Sequence, residues 1–238
     1  MAAIHAAQPL RRRRAASVFR ARASLVEMRD VLTGLRYLAK GDFLSEVADL
    51  NGVSRSSACH IIDSFVEAVN DRLDSIRFEA GLLQDGTLIP IIAPSQNEEV
   101  YVCRKNYHAI NVQAVVDQRA RFIDLVAKWP GSTHDASIFD NCGLKVNAYH
   151  LERHELGHLL GDSGYPLRKY LITPVTTATT EKEVRFNQAH SSGRMVVERA
   201  FGMLKSRFRC LHRTGVLYKS PGKCYQIVTA CTRLHNFC

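Results

Sequence analysis

The 238-residue chain lacks any uninterrupted apolar run long enough to make a membrane-spanning helix. It also lacks a Cys-x-x-Cys pair and an internal repeat, and its seven cysteines are odd in number and scattered. That spacing excludes a zinc ribbon or a disulfide framework and favours a reducing compartment. Because 46% of the residues are hydrophobic, the chain has enough apolar content for one substantial core. The sequence therefore predicts a globular protein that is not embedded in a membrane.

Acidic residues are scarce at both ends of the chain. Residues 1–40 carry nine Lys and Arg against two acids, residues 199–238 carry eight against none, and the middle is net −6. The formal charge of +9 therefore belongs to the ends, which would attract a polyanion such as DNA. A solvated face is the more ordinary explanation for any single helix. Blocks as lopsided as these shift the balance modestly towards nucleic acid.

Residues 1–40 form the predicted basic N-terminal arm, which contains four contiguous arginines. The four are Arg11, Arg12, Arg13 and Arg14. They are predicted to contact DNA and to direct import into the nucleus, and the cytoplasm is a further predicted location. An Arg-rich mitochondrial presequence is the alternative interpretation of the same stretch.

Residues 41–75 have the pattern of two short helices joined by a turn. Apolar residues recur at helical spacing on both sides of Asn51-Gly52, and Ser54 is a suitable N-cap for the second helix. The pattern predicts a helix-turn-helix region, in which Arg55, Ser56 and His60 would face phosphates or base edges. A helical hairpin that makes no contact with DNA fits this pattern equally well.

A change of periodicity follows the helical region. Segments rich in β-branched and aromatic residues predict strands, two of them joined by a hairpin-sized connection. The predicted strands are 88–92, 107–117, 121–129 and 159–162, and the predicted helices are 137–156, 181–209 and 222–235. Strands followed by helices around one mixed sheet predict an α/β domain, placed at residues 82–238.

Acidic residues lie at several boundaries of these predicted elements. Asp162 ends a buried strand, where the sheets of α/β proteins open into ligand crevices, and Asp85 comes just before another strand. Glu198 lies beside an apolar stripe of the helix at 181–209, and Asp135 lies in the first turn of a helix. A turn or capping role is the ordinary explanation for any one of them alone.

Convergence of these carboxylates would have a chemical consequence. Carboxylates held close together repel one another unless they are protonated or bridged by cations, and hard divalent ions prefer oxygen ligands. Two such ions can hold the attacking and leaving oxygens of a phosphodiester in line. The acids therefore indicate a metal-dependent reaction at phosphate.

Six blocks in order resemble the PIF/Harbinger transposases and the nuclease-like proteins derived from them. The blocks are "DGTLIPI", "APSQNEEVYVCRKNYHAINVQAVVD", "RFIDLVAKWPGSTHDASIF", "LLGDSGYPLRKYLITPV", "VRFNQAHSSGRMVVERAFGMLKSRFRCL" and "SPGKCYQIVTACTRLHNF". The resemblance implies an RNase H-like mixed sheet with flanking helices and a catalytic DDE triad of Asp85, Asp162 and Glu198. It also implies that Asp135 joins their Mg²⁺ or Mn²⁺ site.

The resemblance further implies a DNA substrate and a separate Myb/SANT-like DNA-binding partner. One departure from the family pattern is an abbreviated segment between the helix-turn-helix and Asp85. Leu88 also stands where the family usually has His. The predicted function is a metal-dependent DNA endonuclease, which hydrolyses phosphodiester bonds. A catalytically inactive DNA-binding or partner-binding protein that retains the fold is the alternative.

Overall fold

Three helices begin the part of the chain that the structure covers. The structure is a computed structural model and describes residues 28–73, 82–141, 143, 158–215, 217 and 219–238. The helices are α1 Met28–Lys40, α2 Leu44–Asn51, α3 Arg55–Arg72, α4 Glu98–Tyr101, α5 Asp135–Asp140, α6 Glu181–Arg207 and α7 Pro221–Phe237. The strands are β1 Leu82–Pro90, β2 Ala109–Val116, β3 Phe122–Pro130, β4 Leu159–Leu160 and β5 Leu171–Ile172. The predicted DNA-binding arginines 11–14 lie outside the described residues.

Helices α2 and α3 lie where the periodicity predicted them. Gly52 ends α2 in the left-handed conformation at φ 62°, and the Ser57 backbone N–H donates to Ser54 Oγ at 3.0 Å to cap α3. The buried side chains of α1, α2 and α3 belong to the same core as those of α7 and one face of the sheet. The helical region therefore packs directly on the rest of the chain.

Strand β1 lies at the centre of a five-stranded mixed sheet with the order β3-β2-β1-β4-β5. It runs antiparallel to β2 and parallel to β4, and β4 runs parallel to β5. This arrangement with flanking helices confirms the predicted RNase H-like α/β fold. The prediction of the first strand was wrong at its start, because β1 begins six residues before position 88 and pairs with β2 from Leu83 to Pro90. Asp85 therefore lies inside a strand.

Helices α6 and α7 pack on one face of the sheet, α6 against β1 and α7 against β3. The apolar stripe predicted for α6 is buried, with exposed fractions of 5% or less at Val197, Phe201, Leu204 and Phe208. On the other face, Phe139 of α5 packs in a second core with Val115 and Tyr165. The predicted helix at 137–156 corresponds to α5 only up to Asp140, and 144–157 lie outside the described residues. Within the described ranges, no helix is long and apolar enough to cross a bilayer.

Candidate active site

Asp85 lies in the middle of β1, and its side chain faces α6. Its Oδ2 atom lies 3.0 Å from Nη2 of Arg194, and its Oδ1 atom accepts a hydrogen bond from the Gly86 backbone N–H at 2.9 Å. Burial raises the pKa of the Asp85 carboxyl to about 6. Arg194 and the Gly86 N–H oppose that rise, and the negative charges of Asp162 and Glu198 add to it. The electrostatics of Asp85 thus already include two of its predicted partners.

Asp162 lies beside Asp85, just after the C-terminal end of the neighbouring parallel strand β4. The register pairs Leu82 with Leu159 and Leu83 with Leu160, so both acids come two residues after the last pair. Because parallel strands advance together, this register places Asp85 and Asp162 at the same level. The Gly164 backbone N–H donates to Asp162 Oδ1 at 2.8 Å and orients the carboxylate.

Glu198 reaches the same level from α6, which runs along β1. A Cβ at Gly193 would stand 2.9 Å from Leu160 Cδ1, so the glycine permits the close approach of the helix to β4. Further along, Lys205 Nζ donates to Thr87 Oγ1 at 2.7 Å. Glu198 lies between these two contacts.

The Glu198 side chain is 60% exposed, and its Oε1 atom lies 3.9 Å from Nη2 of Arg194. The same nitrogen contacts Asp85, so Arg194 lies between the first and third acids of the predicted triad. Arg194 was not predicted from the sequence. Its position four residues before Glu198 on one helix face was the available signal.

Asp135 occupies the opposite face of β1. Its Oδ1 atom would lie 2.8 Å from a Cβ at Gly86, and successive side chains of a strand point to opposite faces. Asn111 Nδ2 donates to Asp135 Oδ1 at 2.8 Å, and Gln113 Nε2 donates to the Asp135 backbone carbonyl at 2.7 Å. Two buried amides of β2 therefore fix Asp135 against the strand that carries Asp85.

The buried hydroxyl of Tyr165 is close to three of the acids. Burial raises the pKa of Tyr165, and the negative charges of Asp135, Asp85 and Asp162 raise it further. The tyrosine therefore stays neutral at physiological pH. These surroundings indicate that acids from both faces of β1 come close to one another beside β4, the short strand that pairs with β1.

The donor set has the chemistry that a hard divalent cation requires. It consists of the carboxylates of Asp85, Asp135, Asp162 and Glu198. Repulsion among them contributes to the raised pKa of Asp85, and a cation would relieve that repulsion. Within the part of the chain that the structure describes, no three His, Cys, Asp or Glu side chains stand close enough to hold an ion as they lie. The assembly of all four into one metal site stays a prediction.

The predicted DNA-contacting residues of α3 lie elsewhere on the molecule. Arg55, Ser56 and His60 are exposed near the start of the helix. Helix α3 packs on α7, which covers β3, whereas the acids lie around β1 and β4. These exposed side chains are therefore separate from the carboxylates, and their contact with DNA stays a prediction.

Residues 84–236 match the family model described as DDE superfamily endonuclease. The chain belongs to this family of endonucleases. It is 33% identical over 229 residues to the human protein named "Putative nuclease HARBI1", with 87% of this chain and 65% of that protein covered. A protein of Arabidopsis thaliana named "Protein ALP1-like" is 30% identical over 243 residues, with 87% and 59% covered.

The chain thus spans less than two thirds of the length of these relatives. No solved structure matches it. The relatives and the family model confirm the resemblance to Harbinger-derived nucleases that the sequence blocks indicated.

Proposed function

We propose that this protein is a divalent-metal-dependent endonuclease that hydrolyses DNA phosphodiester bonds. The observation that carries the proposal is the common level of Asp85 on β1 and Asp162 just after the adjacent parallel strand β4, with Glu198 facing them from α6. Membership of the DDE superfamily endonuclease family supports the reaction class. The intact pairing of β1 with β2 and β4 also supports it, because the abbreviated segment before Asp85 has not removed the strand.

The metal would be Mg²⁺ or Mn²⁺, held by the carboxylates of Asp85, Asp162 and Glu198 with Asp135 as a further ligand. When bound, such an ion supplies an acidified water as nucleophile and neutralises charge on the phosphate. The side chains of the protein prepare the site for it. Asn111 orients Asp135, and Arg194 opposes the rise in the pKa of Asp85, which favours the ionised form that ligates metal.

A second candidate function is a DNA-binding or partner-binding protein that retains the fold without catalysis. The position of Arg194 between Asp85 and Glu198 favours this alternative, because its guanidinium already supplies one positive charge to the acids. A separate Myb/SANT-like partner fits either function. Metal dependence distinguishes the two functions, since only the endonuclease requires a cation at these carboxylates.

The decisive experiment incubates the purified chain with labelled duplex and single-stranded DNA, in Mg²⁺, in Mn²⁺ and in EDTA. We expect cleavage only with metal, and a loss of about a hundredfold or more in Asp162→Asn and Glu198→Gln, because a displaced ligand already costs that much. The matched controls are Asp49→Asn and Glu46→Gln, which change exposed carboxylates of α2. Cleavage that persists in both site variants, or no cleavage by the wild type, would contradict the proposed nuclease function.

We further propose that the protein acts in the nucleus and that arginines 11–14 direct its import. Fusion of residues 1–40 to a fluorescent reporter tests this proposal. Accumulation of the reporter in mitochondria would contradict it and support the presequence alternative.

A further inference from the structure

A cleft of about 210 Å³ opens beside Asp135, and Lys and Arg side chains line it from two parts of the chain. Its lining includes the buried Asn111, the half-buried Asp135 and the exposed Arg104 and Lys105. Lys205 of α6 also lines it. Gly86 belongs to the lining too, so the cleft begins one residue after Asp85 on β1. The basic cleft therefore adjoins the carboxylates.

Arg104, Lys105 and Lys205 form no ion pair with an acid of the described ranges, although Asp135 lines the same cleft. Lys205 Nζ donates to Thr87 Oγ1 at 2.7 Å and to the Leu88 backbone carbonyl at 3.0 Å, both neutral acceptors. No described carboxylate lies within ion-pair distance of Lys205, Arg104 or Lys105. A partly buried cation without a counter-charge is costly, which points to a ligand that supplies the negative charge.

One further observation indicates an anionic ligand, and a second indicates that a water accompanies it. The guanidinium carbon of Arg213 lies 5.4 Å from the ring centroid of Tyr107, which lines the cleft, and adds another positive charge nearby. Asn111 is 6% exposed, and its Oδ1 atom has no hydrogen-bond partner among the residues described. Because an anion such as a phosphodiester carries no hydrogen-bond donor, that oxygen would accept a hydrogen bond from a water that accompanies the ligand.

We propose that the basic cleft binds a phosphate group of the DNA strand next to the phosphate that lies at the carboxylates. Its volume is below the roughly 300 to 1,000 Å³ of pockets that enclose whole small molecules, so it suits one group of a longer chain. Lys205 is placed to meet the phosphate from the buried side, and Arg104 and Lys105 from the exposed side. This inference rests on the proposed function only in taking DNA as the substrate.

The test measures binding of the full chain to a short fluorescein-labelled DNA duplex in EDTA, over a series of salt concentrations. A protein loses about 0.9 from the slope of log affinity against log salt for each phosphate contact removed. We expect Arg104→Gln combined with Lys105→Gln to reduce the slope by about 0.9 or more, and Lys205→Met to reduce it as well. Arg104 and Lys105 are exposed, so the double variant keeps the fold intact.

Lys182→Gln is the matched control, because Lys182 is exposed on the same helix. It lies 23 residues before Lys205 in α6, which is about 34 Å along the helix axis. A slope unchanged in the double variant, or reduced equally in Lys182→Gln, would overturn the inference. A reduced slope without metal-dependent cleavage by the wild type would retain the cleft and reject the nuclease. Cleavage lost in Asp162→Asn, with an unchanged slope in the cleft variants, would do the reverse.

Discussion

The carboxylate site and the basic cleft are built on neighbouring residues of β1, yet the buried charge has an oppositely charged partner in the first and only neutral partners in the second. At the carboxylates, the negative charge of Asp85 is met by Arg194 at 3.0 Å. In the cleft, Lys205 has only the neutral oxygens of Thr87 and Leu88 as partners among the described residues. Asp85 thus has a counter-charge in the folded chain, whereas Lys205 has none among the described residues.

The pKa values of the two regions show what each lacks. Burial raises the pKa of Asp85 to about 6, and burial together with the charge of Lys105 lowers the pKa of Lys205 to about 8. Both shifts favour the neutral forms, which means that the charged form of each group costs more free energy in the folded chain than in the unfolded chain. A divalent cation at Asp85 and a phosphate at Lys205 would relieve both costs. DNA with bound Mg²⁺ or Mn²⁺ brings those two charges together.

The largest expected effect comes from removing the internal counter-charge. Arg194→Met should lower the free energy of unfolding by about 3 kcal/mol at pH 8.5, since loss of one partner of a buried ion pair leaves the other uncompensated. At pH 7 the loss should be smaller, because Asp85, whose pKa is about 6, can take up a proton more easily there. The Arg194 and Asp85 side chains are 16% and 15% exposed, which makes the pair a largely buried one. Urea unfolding at fixed temperature measures the change.

Lys223→Met is the control for this comparison. Lys223 pairs with Glu67 at 3.1 Å on the surface, where its side chain is 36% exposed and that of Glu67 is 57% exposed. Such exposed pairs contribute about 0 to 1 kcal/mol. Equal losses in Lys223→Met and Arg194→Met would mean that Arg194 is an ordinary surface arginine and that the acids need no counter-charge.

A slightly smaller effect is expected from adding the cation that the acids are proposed to bind. Metal that binds only the folded chain stabilises it by about 2.7 kcal/mol at a hundredfold excess over its dissociation constant. Asp162→Asn and Glu198→Gln should each abolish the stabilisation by Mn²⁺, measured as a shift in Tm. A Tm unchanged by millimolar Mn²⁺ in the wild type would contradict the metal site.

Asp85→Asn decides between the endonuclease and its alternative in the same measurement. If its response to Mn²⁺ stays intact while the other two variants lose theirs, the first catalytic position is not assembled. The DNA-binding or partner-binding function would then be favoured.

Local patterns predicted those parts of the site that local sequence determines. Asp162 follows a short apolar run, and the stripe beside Glu198 repeats at helical spacing. The sequence therefore predicted the strand before Asp162 and the helix that carries Glu198. Asp85 was placed before its strand, because Gln84, Asp85 and Gly86 interrupt any alternation in β1. That segment is a strand because β2 and β4 pair with it on either side, and such pairing overrides local propensity.

The basic cleft could not be predicted for a related reason. Lys205 contacts Thr87 across 118 residues of sequence, and the cleft combines residues of β1, β2 and α6 with the segment that precedes β2 and the segment that follows β3. The periodic patterns of the sequence do not predict which of its many Lys and Arg residues the fold brings together. The sequence indicated basic ends, whereas two of the three cleft cations, Arg104 and Lys105, come from the acidic middle of the chain.

The smallest of the three effects is expected at Lys205 and should depend on pH. Its pKa in the folded chain, about 8, lies below the ordinary value of 10.5, so the unfolded chain binds the extra proton between those values. The resulting cost is about 3 kcal/mol below pH 8, and it disappears as the pH rises towards 10.5. Lys205→Met removes this cost but leaves the Thr87 and Leu88 oxygens without a donor, a loss of about 1 to 2 kcal/mol.

Lys205→Met should therefore stabilise the chain by about 1 to 2 kcal/mol at pH 7 and destabilise it near pH 10.5. Urea unfolding at both pH values measures the reversal, with Lys182→Met as the control that should change stability by less than about 0.5 kcal/mol at either. Destabilisation of equal size at both pH values would show that Lys205 carries no uncompensated charge. The contrast between the two regions of β1 would then fail, because the cleft would have no need of an anionic ligand.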